Sequence, residues 1–204
     1  EAGNGSRPED KQNYTLLLAE LRRQLNALEV QTGQHYLLTI AAPAGPSILT
    51  NLELNLIHPY LDWINLMSYD FHGGWETQTN FLAPLYSPMT DPSGIKLNTD
   101  AAIRAYLAGG VPAGKLVMGV PFNGRGWQGV ANINNGLYQN STGVPPGTWE
   151  AGSFDYKDIK ANYLPSYIRF WSTEAKVPWL YHPATGIMIS YDDPESLGYK
   201  ADYI

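Results

Sequence analysis

An α/β chain built on a parallel sheet is the fold that the sequence predicts, and three observations carry it. Short apolar runs suited to strands buried on both faces occur at residues 35–42, 62–69 and 115–121. Helical spacing of apolar residues precedes or separates them, so the order reads helix, strand, helix, strand, helix, strand, which argues parallel pairing with right-handed crossovers. The third observation is length. A closed (β/α)8 TIM barrel needs about 250 residues, and setting aside an irregular stretch of roughly 60 leaves three evident β/α units, a portion of such a barrel.

Each element has its own signal. Ser6-Arg7-Pro8-Glu9 reads as a capping box, after which Tyr14, Leu17, Leu18, Leu21, Leu25 and Leu28 repeat at helical spacing until Gly33 ends the helix. The apolar run at 35–42 is a strand stopped by Pro43. A helix is expected over 49–60, a strand over 62–69, a long Gly/Pro-rich loop over 70–97, a helix over 98–108 and a strand over 115–121. Leu38, Ile64, Leu66 and Val117 are expected to form one inner apolar face. Beyond Phe122 the pattern changes to Tyr, Trp, Asn, Gly and Pro, with strand-like runs at 179–181 and 187–191, as in a small α+β insertion. A helix then begins at Pro194, with Asp192-Asp193 read as its cap. The domain reading is therefore 1–127 partial barrel, 128–190 insertion, and 191–204 return to a barrel helix.

Composition excludes several classes. Thirteen Lys and Arg against nineteen Asp and Glu give a net charge of −6, with no basic cluster beyond Arg22-Arg23, so nucleic acid is not an expected partner. Nothing approaches the roughly 20 apolar residues of a membrane span. Cysteine is absent, and His35, His58, His72 and His182 show no metal-ligand spacing, so neither metal nor other cofactor is expected. Fourteen Tyr, six Trp and five Phe make 12% of the chain aromatic; most should be packing, but such rings also suit the flat faces of sugars.

Met67-Ser68-Tyr69-Asp70-Phe71-His72-Gly73-Gly74-Trp75 lies where a buried strand gives way to a loop, which is where parallel α/β folds place functional groups. Tyr69 and Asp70 offer a phenol and a carboxylate to a charge-developing substrate atom; the plainer reading is an ordinary strand end with a capping Asp. Three more segments follow in order: Gly119-Val120-Pro121-Phe122-Asn123-Gly124-Arg125-Gly126-Trp127, Gly147-Thr148-Trp149-Glu150-Ala151-Gly152 and Ile189-Ser190-Tyr191-Asp192-Asp193. With Arg7 to Tyr14 upstream, this series resembles the later motifs of family 18 glycoside hydrolases, the chitinases.

The resemblance implies a (β/α)8 barrel, here about strands 5 to 7, with an α+β insertion after the seventh strand. It implies hydrolysis of β-1,4-N-acetylglucosamine linkages by a retaining, substrate-assisted route in which the sugar's acetamido oxygen attacks its own anomeric carbon. Tyr69 would then position the acetamido group, Asp70 would support the charged intermediate and Met67 would line the floor. Trp75 matches an aromatic platform on the leaving-group side, Arg125 and Glu150 match polar cleft residues, and Trp149 packs near them. Asn123 stands where many relatives carry Tyr. The family's general acid lies in a D-x-x-D-x-D-x-E spacing that occurs nowhere in this sequence, and Glu1 is a poor substitute. Two functions are therefore expected to compete: a secreted, extracellular chitinase acting on chitin, or a non-catalytic chitin-oligosaccharide binder. Sheet edges left open by a partial barrel would be covered by the missing half of the barrel or by another copy of the chain.

Overall fold

The computed structural model describes residues 7–204, so Glu1 and the capping residue Ser6 lie outside the described residues. The chain divides into two compact units, one containing the residues up to Met67 with Ala102–Met118, the other Ser68–Ala101 with Gly119–Ile204.

The first unit holds a three-stranded parallel sheet in the order β1 (Thr39–Pro43), β2 (Trp63–Met67), β3 (Leu116–Met118). Helix α1 (Asp10–Thr32) precedes it and stops where expected: Gly33 takes φ 70° and its N–H reaches the Glu29 carbonyl at 2.7 Å. Thr15 and Leu18 are the buried residues of α1, whereas Leu17, Leu21 and Leu28 are exposed. The expected apolar stripe is thus only partly covered. At 100° per residue Thr15 and Arg22 share a side about 100° or more from Leu17, Leu21 and Leu28, with Leu18 between the two groups, and α1 packs on α3 (Leu54–Ile57) and the 3₁₀ turn His58–Tyr60.

Three expectations about the sheet need correction. The strand expected at 35–42 begins only at Thr39 and is mostly half-buried, because β1, like β3, is an edge strand rather than one covered on both faces. The helix expected over 49–60 is broken into α2 (Pro46–Leu49), α3 and the 3₁₀ turn, with Pro59 inside that turn. Register sets Ile64 opposite Leu116 and Asn65 opposite Val117. Ile64 and Leu66 are buried, but Val117 therefore faces the other side and is 47% exposed.

Arg22 pins the start of this sheet. Its guanidinium donates to the Tyr60 and Tyr36 carbonyls at 2.9 and 3.0 Å and to Asp62 at 2.5 Å. His35 bridges Asp62 at 2.8 Å and Glu29 at 3.0 Å. Burial pulls the Asp62 carboxyl upward, but hydrogen bonds from His35, the Leu38 N–H and Arg22 outweigh it and hold the group at about 2. Bonds to Asp62 and then Glu29 raise His35 above its ordinary value.

The second unit is built on a five-stranded antiparallel sheet, in the order β5 (Ser153–Asp155), β4 (Asn123–Trp127), β8 (Ile187–Ser190), β7 (Val177–His182), β6 (Ile168–Ser172). Both faces are covered. Trp127, Val177, Trp179, Tyr181 and Met188 pack with Phe81 on one; Leu180, Ile189, Phe154 and Tyr191 pack on the other with Ile159, which opens the π turn that follows α5 (Tyr156–Asp158). Many of the aromatics are therefore core, as the composition suggested. The division between the units falls within α4 (Thr99–Ala108).

The last helix, α6 (Pro194–Tyr203), starts at Asp193, whose carboxylate accepts from the Glu195 and Ser196 N–H groups at 3.0 and 3.1 Å. Asp192 does something else. It meets Lys200 at 2.5 Å, and both side chains are 1% exposed. Burial pushes the Asp192 carboxyl up and the Lys200 amine down, the directions that oppose charge separation in a dry site.

Removing one member of this pair strands the other. Lys200→Met should destabilise the protein by about 3–5 kcal/mol in urea unfolding, and Asp192→Leu added to it should recover most of that loss. The His35 bridge sets a pH window. Its contribution is present below the ordinary histidine value of about 6.5 and is lost as pH rises through the raised folded value, while that of Asp62 is lost as pH falls from about 4 toward 2. The thermal midpoint should fall on both sides of that window, and His35→Gln should abolish the decline on the alkaline side and shrink the one on the acid side, because His35 is among the groups that hold the Asp62 carboxyl low.

Candidate active site

Four of the residues singled out in the sequence meet in the second unit. Arg125 donates from Nε and Nη2 to the two oxygens of Asp70, both at 3.0 Å, and from Nη1 to Glu150 at 3.1 Å. Trp75 lies against the same guanidinium, 5.5 Å from ring centroid to Cζ. Such a two-point Arg–carboxylate contact fixes both groups in a plane. The bond to Asp70, and after it the bond to Glu150, raises the already high proton affinity of Arg125 against the opposing effect of burial.

Local sequence makes this geometry possible. In β4, Asn123, Arg125 and Trp127 share one face, and Gly124 and Gly126 share the other. A Cβ at Gly124 would lie 2.7 Å from Ile159 and one at Gly126 2.6 Å from Phe154, so the core closes directly on the backbone behind Arg125. Asp70 adopts φ 54°, in the left-handed region that Asp tolerates better than most residues, and this turns the chain away from the preceding extended course. The Phe71 N–H donates to the Leu82 carbonyl at 2.9 Å, and the Leu82 N–H to the Ser190 hydroxyl at 2.8 Å. Ser190 in turn pairs with Arg125 across the sheet.

Tyr69 is half-buried, with no hydrogen-bond partner for its hydroxyl among the described residues. Trp149 is 80% exposed, yet its indole N–H is tied to Asp155 at 3.0 Å, so the ring is anchored while its face stays open. Asn123 sits opposite Asp155 in the β4–β5 ladder. An open groove of about 620 Å³ runs past Trp149, Glu150, Gln128 and Val144. Met67 closes β2 and belongs to the first unit. A cavity of about 690 Å³ in that unit, lined by Tyr14, Ile40, Pro43 and Ile48 among others, contains none of the predicted site residues.

One contributor is not legible in the sequence: Asp155, the anchor of Trp149, stands in no recognisable spacing. No group of three or more His, Cys, Asp or Glu among the described residues is arranged to hold a metal ion.

Two carboxylates and one guanidinium leave the cluster with net charge −1 beside an open indole face. Such an arrangement can meet a flat apolar face and stabilise positive charge on a ligand. Across residues 1–204 the chain matches the model of the glycosyl hydrolases family 18. The chain belongs to that family. It is 50% identical over 210 residues to Chitinase A1 of Niallia circulans, covering 99% of this chain and 30% of that protein, and 38% identical to Chitinase 1 of Aphanocladium album, covering 95% and 44%. This family member thus spans less than half the length of either relative. Chitinase ChiA74 from Bacillus thuringiensis superimposes with TM-score 0.95 at 46% identity, over all of this chain and 35% of that one. A mutant class V chitinase from Nicotiana tobaccum in complex with NAG4 does so with TM-score 0.87 at 31% identity, over 98% and 57%. The fold is therefore that of family 18 chitinases, mixed α/β with separate sheets.

The Trp75 ring rests on its own turn: a Cβ at Gly73 would lie 2.4 Å from it. Because the ring is the more exposed partner, it should be the part that yields. Gly73→Ala should change near-ultraviolet circular dichroism from Trp75 while shifting unfolding free energy by less than about 1 kcal/mol.

Proposed function

We propose that this chain carries the substrate-binding and intermediate-stabilising part of a chitinase acting on chains of N-acetylglucosamine. The observation that carries the reading is the carboxylate of Asp70, held by both oxygens on Arg125 with the Trp75 face beside it. In this mechanism Asp70 accepts the acetamide N–H of the reacting sugar, which makes the acetamido oxygen a better nucleophile, while the Tyr69 hydroxyl donates to the same group and orients it. The bond from the anomeric carbon to the leaving oxygen breaks as the bond to the acetamido oxygen forms. Water then opens the cyclic cation with overall retention. Trp75 supplies a platform for the leaving-group sugar, and Glu150, Trp149 and Asn123 line the cleft.

The leaving oxygen must also receive a proton, and the nineteen acidic residues of the chain contain no D-x-x-D-x-D-x-E spacing. That observation favours the second reading, an oligosaccharide binder that does not turn over by itself. We assign the parallel sheet to about strands 5 to 7 of a (β/α)8 barrel, residues 128–190 to the α+β insertion that β4 leads into, and 191–204 to the return helix. Remaining barrel strands, or a second copy, would cover β1 and β3. A polymer too large to enter a cell is met outside it, so the working location is extracellular.

Calorimetry with the N-acetylglucosamine tetramer tests binding: Trp75→Ala should weaken it by about 1 kcal/mol, roughly fivefold. Hydrolysis of a chromogenic chitobioside tests catalysis. The 204-residue chain should be at least about 10²-fold slower than a relative with the acid motif, since general acid catalysis supplies roughly 10²–10⁴. Turnover at the relative's rate would overturn the assignment.

A further inference from the structure

His72 lies two residues past Asp70 and is 5% exposed. Its Nδ1 sits 2.8 Å from Glu76 Oε2, so the ring N–H donates to the carboxylate. Its Nε2 is buried without a partner among the described residues, a cost the Glu76 bond must outweigh. Glu76 is fixed by its backbone as well. Its N–H donates to the Gly73 carbonyl at 3.0 Å, and its carbonyl accepts the indole N–H of the fully buried Trp127 at 3.1 Å. Trp75 is the residue enclosed by this bracing. Its ring lies over Gly73 on one side and meets the Arg125 guanidinium on another, yet remains 58% exposed.

We propose that Glu76 is a positioning residue whose carboxylate, through His72, closes the 72–76 turn and holds Trp75 as a preformed stacking platform. The proposal rests on the oligosaccharide reading of the site. An exposed indole that must be ordered when a sugar arrives subtracts that ordering from the affinity; one held beforehand does not. The bracing uses a side-chain bond, a backbone turn bond and a core indole, so only the first can be removed without disturbing the core.

A ligand-free cycle tests positioning. The near-ultraviolet circular dichroism contributed by Trp75, taken as wild type minus Trp75→Ala, should fall by more than half in the Glu76→Ala background and return in Glu76→Gln, whose amide oxygen still accepts from His72. His72→Phe, which fills the buried space and removes the bond from the other side, should give the same loss if Glu76→Ala does not fold. A binding cycle tests the consequence. Affinity for the N-acetylglucosamine tetramer should drop roughly three- to tenfold in Glu76→Ala, with no further drop when it is added to Trp75→Ala. An unchanged Trp75 contribution, or a loss additive with that of Trp75→Ala, overturns the positioning role. A spectral cycle that behaves as expected in a chain whose tetramer affinity ignores Trp75→Ala leaves the positioning standing and overturns the oligosaccharide reading.

Discussion

Everything around the candidate site hangs on one cation placed between two carboxylates. Arg125 is not merely near Asp70; it binds both of its oxygens, and the two residues are also joined through the fold by a closed circuit. From Asp70 the chain passes to Phe71, whose N–H holds the Leu82 carbonyl; Leu82 holds the Ser190 hydroxyl, and Ser190 pairs with Arg125. Such a ring of contacts is non-additive, because loosening any one link frees the others to move. It also explains how a non-glycine residue stays at positive φ, a conformation that costs on the order of 1–3 kcal/mol and persists only where surrounding structure over-determines it.

The face behind Arg125 is as constrained as the face in front. Gly124 and Gly126 let Ile159 and Phe154 approach the β4 backbone, so the alternation Asn-Gly-Arg-Gly-Trp divides the strand into a functional side and a side with no side chains at all. Trp127, third residue on the functional side, is fully buried and supports the Glu76 carbonyl beneath the Trp75 turn. One five-residue strand therefore places the cation, sets Asn123 opposite Asp155 and props the aromatic platform.

What could be read from sequence followed the range of the forces involved. Local signals held: Gly33 ends α1 because only a left-handed residue fits there, and Asp193 before Pro194 starts α6 because a side-chain acceptor meets free N–H groups. Signals that depend on a neighbour failed. The β1 sequence reads as a fully covered strand because apolar content does not say whether a partner lies alongside. Val117 reads as a partner of Ile64 and Leu66, although pairing register puts it on the opposite face. The site was the extreme case. Arg125 lies 55 residues from Asp70 and 25 from Glu150, distances at which no periodicity speaks, so these residues could be grouped only by likeness of whole motifs. Asp155 and Glu76 escaped notice because each acts through another side chain, and an anchoring carboxylate looks like any surface acid.

The two buried or half-buried ion networks of the second unit show why the same charges do different work. Asp192 and Lys200 are dry, paired one to one, and shifted by burial in the directions that disfavour charge; such a pair specifies the seating of α6 and adds little net stability over an apolar one. Arg125 is partly open, serves two carboxylates at once, and leaves one negative charge uncompensated. The second pair, to the largely exposed Glu150, adds little to holding the fold together, since exposed pairs contribute about 0–1 kcal/mol. Under the proposed reading, the Arg125 cluster suits a ligand on which positive charge grows, because its field is fixed before the ligand arrives and needs no reorganisation when it does.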